Sequence, residues 1–226
     1  MRILSTHVRV TPLTIVYGPT GVGKTSLLRA GVLPELRRQT NRAPDDDEDD
    51  VGDQTVVVYF RQWQHPEFEN VLADVCVEAI DAVSSGAPLR SSREQLDIVL
   101  ERARARRAGK AKLRLLLIFD QFDEYLSVHE ADPLIGSSAP GAPGTESERP
   151  IHFDRIIARI VNRPDLSANV LIAIKEDELA RLDRFRLRIA HLLSNTIRIS
   201  RWTHSTSSRP RPSGPRSIRR TTRFPG

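Results

Sequence analysis

Cysteine, aromatic residues and long apolar runs are scarce in this sequence. Its 226 residues include one cysteine, Cys76, and 5% aromatic residues. A single thiol excludes a disulfide framework and a cysteine-based zinc site, and it is typical of a reducing cytosol, so we expect a cytoplasmic protein. No apolar run is longer than that of Leu115–Phe119, which is far shorter than the roughly 20 residues of a membrane helix, and we expect no membrane partner.

The positive charge is confined to one end of the chain. The net charge is +5, but residues 201–226 contain seven arginines and no acidic residue, which leaves residues 1–200 with a net charge of −2. Such a segment can bind nucleic-acid phosphates non-specifically. Residues 1–200 contain no base-reading motif, so we do not expect specific nucleic-acid recognition.

Strand and helix patterns alternate along residues 1–200. Apolar, β-rich runs occur at Leu13–Tyr17, Thr55–Phe60, Leu113–Phe119, Val170–Ile174 and Thr196–Ile199. Helical spacing occurs in Lys24–Leu36, Val71–Val83, Ser91–Arg107, Phe153–Val161 and, as one or two helices, Leu179–Leu192. Alternation of this kind predicts a three-layer α/β fold, in which helices flank a mainly parallel five-stranded sheet.

Three segments have compositions that do not suit a packed core. Residues 39–54 include the acidic run Asp45–Asp50, residues 136–150 are rich in Gly, Pro and Ser, and residues 201–226 are rich in Arg, Ser and Pro. We expect all three to be loops or disordered. The sequence therefore predicts one domain over residues 1–200, with two inserts, followed by a basic tail.

The clearest motif follows the first predicted strand and opens the first predicted helix. It fits G-x-x-x-x-G-K-[ST] and, with one further residue, comprises Gly18, Pro19, Thr20, Gly21, Val22, Gly23, Lys24, Thr25 and Ser26. Glycines allow backbone N–H groups to surround a phosphate, and the helix N-terminus favours the same negative charge. We expect Lys24 to neutralise the β- and γ-phosphates and the Thr25 hydroxyl to bind Mg²⁺.

Three acidic residues follow the third predicted strand. Asp120 directly follows Leu113–Phe119, and Asp123 and Glu124 come three and four residues later. The end of a buried parallel strand is where a second magnesium-positioning residue belongs, so Asp120 is the candidate. One of the later acids could orient the attacking water, although both also suit the solvated start of a helix.

Lys175 ends the fourth predicted strand. A cation at that position could contact a γ-phosphate, but a lysine at a strand end is commonly just solvated. We assign no functional role to Trp63 or His65, and we expect Cys76 to pack in the core.

Together these motifs resemble the novel STAND NTPase domain of signal-transduction ATPases. The resemblance rests on GPTGVGKTSLLRAGVLPEL, VVVYFRQWQHPE, LLLIFDQFDEYL and IAIKEDELARLDRFRLRIAHLLSNTIRIS. It implies a P-loop fold of the additional-strand type, in which the VLIAI strand lies between the P-loop strand and the LLLIF strand. It also implies ATP and Mg²⁺ as ligands, slow hydrolysis, and a nucleotide-controlled change between a closed, silent state and an open, assembled one.

By position in the motifs, the resemblance implies that Gly18–Ser26 bind the phosphates and that Asp120 binds Mg²⁺. Asp123 and Glu124 match the acidic pair of related NACHT domains. Lys175 lies where family members usually have arginine, which keeps the charge of a sensor residue but not its geometry. Self-association or signalling partner proteins are the partners implied.

The chain departs from the family pattern at both ends. The twelve residues before Leu13 contain no Gly-Arg-Glu box of the kind that helps to hold adenine, and similarity stops near Ile199. An Arg/Ser/Pro string often results from a frameshifted GC-rich reading frame, so our hypothesis is a truncated copy of a longer regulator. A nucleotide-binding adaptor that does not hydrolyse ATP is the alternative function.

Overall fold

The computed structural model describes residues 7–40, 53–84, 88–89, 96–129 and 149–200. Its six strands are β1 (Leu13–Gly18), β2 (Gln54–Phe60), β3 (Arg107–Ala108), β4 (Ala111–Phe119), β5 (Ala168–Lys175) and β6 (Thr196–Arg198). Five strands form a parallel sheet in the order β2-β4-β5-β1-β6. The predicted α/β fold is confirmed, including the position of β5 between β1 and β4.

The sixth strand, β3, was missed by the sequence pattern. It pairs antiparallel with the start of β4 through a turn at Gly109, whose φ is +60°. The two-residue strand takes up the end of the segment that was predicted to be helical through Arg107. The helix before it, Leu96–Arg104, ends three residues earlier than the predicted segment, because the chain must reverse direction before β4.

In the described part of the chain, five helices lie against this sheet. Helix α1 runs from Lys24 to Thr40 and consists of Lys24–Ser26, a π-helical stretch Leu27–Val32, and Leu33–Thr40. The others are α2 (Phe68–Asp81), α3 (Leu96–Arg104), α4 (Phe122–Val128) and α5 (Arg149–Asn162). Pro34 lies two residues after the end of the π-helical stretch and has no N–H to donate to the preceding turn, which suits a local change of helical pitch.

The predicted helix pattern in Leu179–Leu192 is wrong in type. Leu179–Phe185 forms a 3₁₀ helix, and turns follow it. A second short 3₁₀ helix covers Pro164–Leu166. The apolar residues of the segment are nevertheless buried as expected, with Leu182 and Phe185 among them. Burial therefore followed the spacing, whereas the hydrogen-bond pattern did not.

Two apolar groups sandwich the sheet and make three layers. The larger packs α2, α3, α4 and α5 against one face and includes Trp63 and the fully buried Cys76. The smaller lies under α1 and includes Leu28, Val32, Ile118 and Leu171. Burial raises the pKa of the Cys76 thiol to about 12, so this thiol is protonated and packs as an apolar side chain.

Described secondary structure reaches the edges of the predicted inserts. Helix α1 continues through Thr40, β2 begins at Gln54, and Arg149 starts α5. Residues 41–52, 136–148 and the tail 201–226 lie outside the described residues. No helix within the described ranges is long and apolar enough to cross a bilayer.

Candidate functional site

The parallel register brings the candidate residues to one edge of the sheet. Gly18 at the end of β1 lies beside Lys175 at the end of β5, and the ends of β4 and β2 lie side by side at Phe119 and Phe60. Asp120 follows Phe119 directly. The P-loop, Asp120 and Lys175 therefore share the carboxyl edge, where ligands bind in open α/β sheets.

The loop between β1 and α1 has the backbone geometry that the motif predicts. Gly21 and Gly23 have φ values of +73° and +97°, a conformation that favours glycine. Gly23 precedes the first residue of α1. The loop therefore ends at a helix N-terminus, where unpaired backbone N–H groups favour an anion.

Gly18 is required for close contact between the P-loop strand and β6. A Cβ atom added at Gly18 would lie 2.2 Å from the carbonyl oxygen of Ile199. The Ile199 N–H donates to the Tyr17 carbonyl at 2.7 Å, which keeps that backbone near β1. A side chain at position 18 would therefore push the end of β6 away from the P-loop.

We expect Gly18→Ala to destabilise the fold by about 3 kcal/mol, the upper part of the usual cost of overpacking, because the obstructing atom belongs to the backbone. Hydrogen exchange should also become faster at the Ile199 amide. Gly109→Ala is the control, because its Cβ would meet nothing within 4 Å and only the ~1–2 kcal/mol of left-handed backbone strain is expected. Equal exchange at Ile199 in both variants would contradict the steric explanation.

Lys24 is partly buried and bonded to its own loop. Its Nζ donates to the carbonyl oxygens of Gly18 at 2.7 Å and Pro19 at 3.0 Å. Burial lowers the pKa of Lys24, and the negative charges of Asp123, Asp120 and Asp177 oppose that change. The ammonium group thus lies within electrostatic reach of the acids that follow β4.

Asp120 is a buried carboxylate without a paired cation among the described residues. It is 1% exposed, and its Oδ2 accepts a hydrogen bond from the Tyr59 hydroxyl at 2.6 Å. Its Oδ1 accepts one from the Gln121 backbone N–H at 3.0 Å. A buried charge of this kind is stable only with a counter-ion or strong hydrogen bonds, so a cation would suit this position.

The two following acids have different environments. Asp123 is buried and forms an ion pair with Lys175, with Nζ 2.8 Å from Oδ2. This contact raises the pKa of Lys175. Glu124 is half-buried, and its carboxylate accepts a long hydrogen bond from the Gln64 side-chain amide at 3.5 Å. Lys175 therefore neutralises Asp123, and Glu124 is the freer carboxylate.

The donor types at this edge fit a magnesium ion bound together with a nucleotide. Within the described part of the chain, no cluster of three or more His, Cys, Asp and Glu side chains could hold a metal by itself. Mg²⁺ usually takes one or two protein oxygens together with substrate phosphates. Thr25, half-buried in the first turn of α1, and Asp120 supply oxygens of that kind.

Two contributions were missed from sequence. The first is the hydrogen bond from Tyr59 to Asp120. The second comes from Trp63, to which we assigned no role: the Trp63 Nε1 donates to the Asp120 carbonyl oxygen at 2.7 Å. Trp63 is also fully buried among the aromatic rings of Phe60, Phe119 and Phe122. The alternation along β2 carried a signal for Tyr59, since it lies on the half-buried face of that strand. His65 is exposed, as expected.

Comparison with solved structures supports the fold. The ORC2 protein of Aeropyrum pernix, in its ADPNP-ADP complexes, matches with a TM-score of 0.53 at 14% identity, over 88% of this chain and 46% of that chain. Cdc6p of Pyrobaculum aerophilum matches with a TM-score of 0.44 at 15% identity, over 88% of this chain and 42% of that one. This chain spans about half the length of the solved chains that it matches. At such low identity the likeness to ORC2 bears on the fold alone.

Comparison with family models covers nearly the whole chain. A search of curated proteins finds no match. A model of the family described as Novel STAND NTPase 1 matches residues 1–206, which includes every strand and helix above. With the P-loop at the carboxyl edge and β5 between β1 and β4, the chain belongs to the novel STAND NTPase 1 family of P-loop NTPases.

Proposed function

We propose that residues 1–200 bind ATP with Mg²⁺ at the P-loop, hydrolyse it slowly, and serve as the nucleotide-dependent switch of a signalling ATPase. The observation that carries this proposal is the convergence of Lys24 with the buried carboxylates of Asp120 and Asp123 at one sheet edge. A cation at a helix N-terminus near the Asp120 carboxylate, which has no paired cation among the described residues, suits a ligand that brings both phosphates and a divalent metal.

The roles of the individual residues follow from their positions. Gly18–Ser26 would surround the phosphates, with Lys24 exchanging its carbonyl partners for phosphate oxygens. Thr25 and Asp120 would hold Mg²⁺, which neutralises charge on the phosphates when it is bound. Glu124 is the better candidate to orient the attacking water, since Asp123 is paired with Lys175. Lys175 would hold Asp123 in place and lie beside Gly18.

The alternative is a module that binds nucleotide without turnover. The observation in its favour is the same Asp123–Lys175 ion pair at 2.8 Å, which removes one of the two acids from the role of general base. The choice between these functions depends on Glu124, the remaining acid at the end of β4.

The test measures binding of a fluorescent ATP analogue and phosphate release for the wild type and Glu124→Gln. We expect Mg²⁺-dependent binding in both, and phosphate release that falls by roughly 10²–10⁴-fold in the variant, as for loss of a general base. Glu78→Gln, at an exposed position on α2, is the matched control. Absence of ATP binding by the wild type would overturn the proposal, and binding without turnover would establish the alternative.

A further inference from the structure

Tyr59 connects the face of the sheet under α1 with the carboxylate of Asp120. The residue lies on β2, and its ring packs against the smaller apolar group, which includes Ile118 and Leu28. Its hydroxyl donates to Asp120 Oδ2 at 2.6 Å across 61 positions of sequence. The phenol therefore reaches Asp120 from the face of the sheet that α1 covers.

The other hydrogen bonds of Asp120 in the described structure all involve a backbone group, either of Asp120 itself or of Gln121. The Asp120 N–H donates to the Phe60 carbonyl at 2.9 Å, and Trp63 donates to the Asp120 carbonyl. The Gln121 N–H reaches Oδ1 from a left-handed residue with φ of 54°. Among the described residues, Tyr59 is thus the side chain that bonds the carboxylate group itself.

The Tyr59 hydroxyl is a dependable donor. Burial, followed by the hydrogen bond to Asp120, raises the pKa of Tyr59, so the phenol keeps its proton over the physiological range. A carboxylate has about four acceptor positions. One bond on each oxygen leaves the other lone pairs of Asp120 for a metal ion or a water bound to it.

We propose that Tyr59 is a positioning residue for the magnesium-binding carboxylate: by fixing the rotation of the Asp120 side chain, it sets the Mg²⁺ affinity of the nucleotide site. This inference rests on the proposed function, and it adds a residue that lies outside the P-loop and the acidic segment after β4. Groups that orient a metal ligand from behind commonly affect metal affinity by 10–100-fold. We expect an effect of the same size here. Without the Tyr59 hydrogen bond the Asp120 side chain could rotate, and Mg²⁺ binding would then cost the entropy of that rotation.

The experiment titrates Mg²⁺ against binding of a fluorescent ATP analogue to the full chain. For Tyr59→Phe we expect the Mg²⁺ concentration at half-maximal binding to rise by about 10-fold or more, with unchanged nucleotide affinity in EDTA. Tyr17→Phe is the matched control, because Tyr17 is a half-buried strand tyrosine whose hydroxyl has no hydrogen bond within the described residues. Thermal unfolding of each variant checks that the fold is intact.

A double-variant comparison separates positioning from a general structural effect. In an Asp120→Asn background, Tyr59→Phe should cause no further rise in the Mg²⁺ midpoint, because the group through which it acts is gone. An unchanged midpoint for Tyr59→Phe alone, or an equal fall in affinity with and without Mg²⁺, would overturn the inference while leaving ATP binding in place. Lack of any Mg²⁺-dependent binding by the wild type would overturn the proposed function and this inference together.

Discussion

Lys24→Ala is expected to abolish measurable nucleotide binding at micromolar concentrations. Lys24 is the cation of the loop, and two N–H groups of its ammonium donate to the Gly18 and Pro19 carbonyl oxygens. In the complex, negatively charged phosphate oxygens would accept these hydrogen bonds in place of the carbonyl oxygens. Hydrogen bonds to charged groups contribute about 1.5–3 kcal/mol each, so loss of both predicts a fall of roughly 10²- to 10⁴-fold in affinity.

The measurement is equilibrium binding of a fluorescent ATP analogue in the presence of Mg²⁺. Lys110→Ala removes the same charge from an exposed position in the β3–β4 turn and should leave the affinity within twofold of the wild type. Circular dichroism of both variants should be unchanged, since Lys24 contributes no packing to the two apolar groups. Equal affinities for Lys24→Ala and the wild type would remove the P-loop from the binding site.

The second large effect is expected on stability, from the buried pair of Arg184 and Asp154. Arg184 Nε donates to Asp154 Oδ2 at 2.7 Å, and Tyr125 donates to the other carboxylate oxygen at 2.7 Å. The side chains are 11% and 5% exposed. Arg184 also donates to the His129 carbonyl, so the 3₁₀ helix, α4 and α5 meet at this carboxylate.

Arg184→Met should cost about 3–5 kcal/mol at neutral pH, because it leaves a carboxylate buried without its cation. Burial raises the pKa of Asp154, and Arg184 counteracts this effect in the wild type. In the variant that pKa rises further, so the folded state takes up a proton more readily than the unfolded chain. The stability deficit should therefore be smallest near the ordinary carboxyl pKa of about 4 and grow as pH rises.

Urea unfolding at several pH values measures this deficit. Asp183→Ala is the control, because Asp183 and Arg186 form an exposed ion pair at 3.7 Å, with side chains 58% and 72% exposed. Pairs of that kind contribute about 0–1 kcal/mol. A loss for Arg184→Met as small as that of the control, or one that does not change with pH, would show that the buried pair is not a main support of this region.

Much of the site can be read from local sequence. The P-loop, the strand before it and Asp120 were predictable because glycine spacing and apolar runs act within a few residues. The central position of β5 came through the resemblance to a family, since strand order depends on contacts between distant segments. The helix type of Leu179–Phe185 was harder to predict, because 3₁₀ and α-helical segments bury residues at similar spacing.

The alternation of strand and helix patterns and the P-loop motif determined, without the tertiary structure, that this is an α/β chain with a P-loop. The tertiary structure alone decided that Lys175 pairs with Asp123 and that Tyr59 bonds Asp120. The physical reason is that sequence patterns specify which face of an element is buried. The partner of a polar group at a strand end depends on which strands become neighbours, and in this sheet those neighbours come from segments more than fifty residues apart.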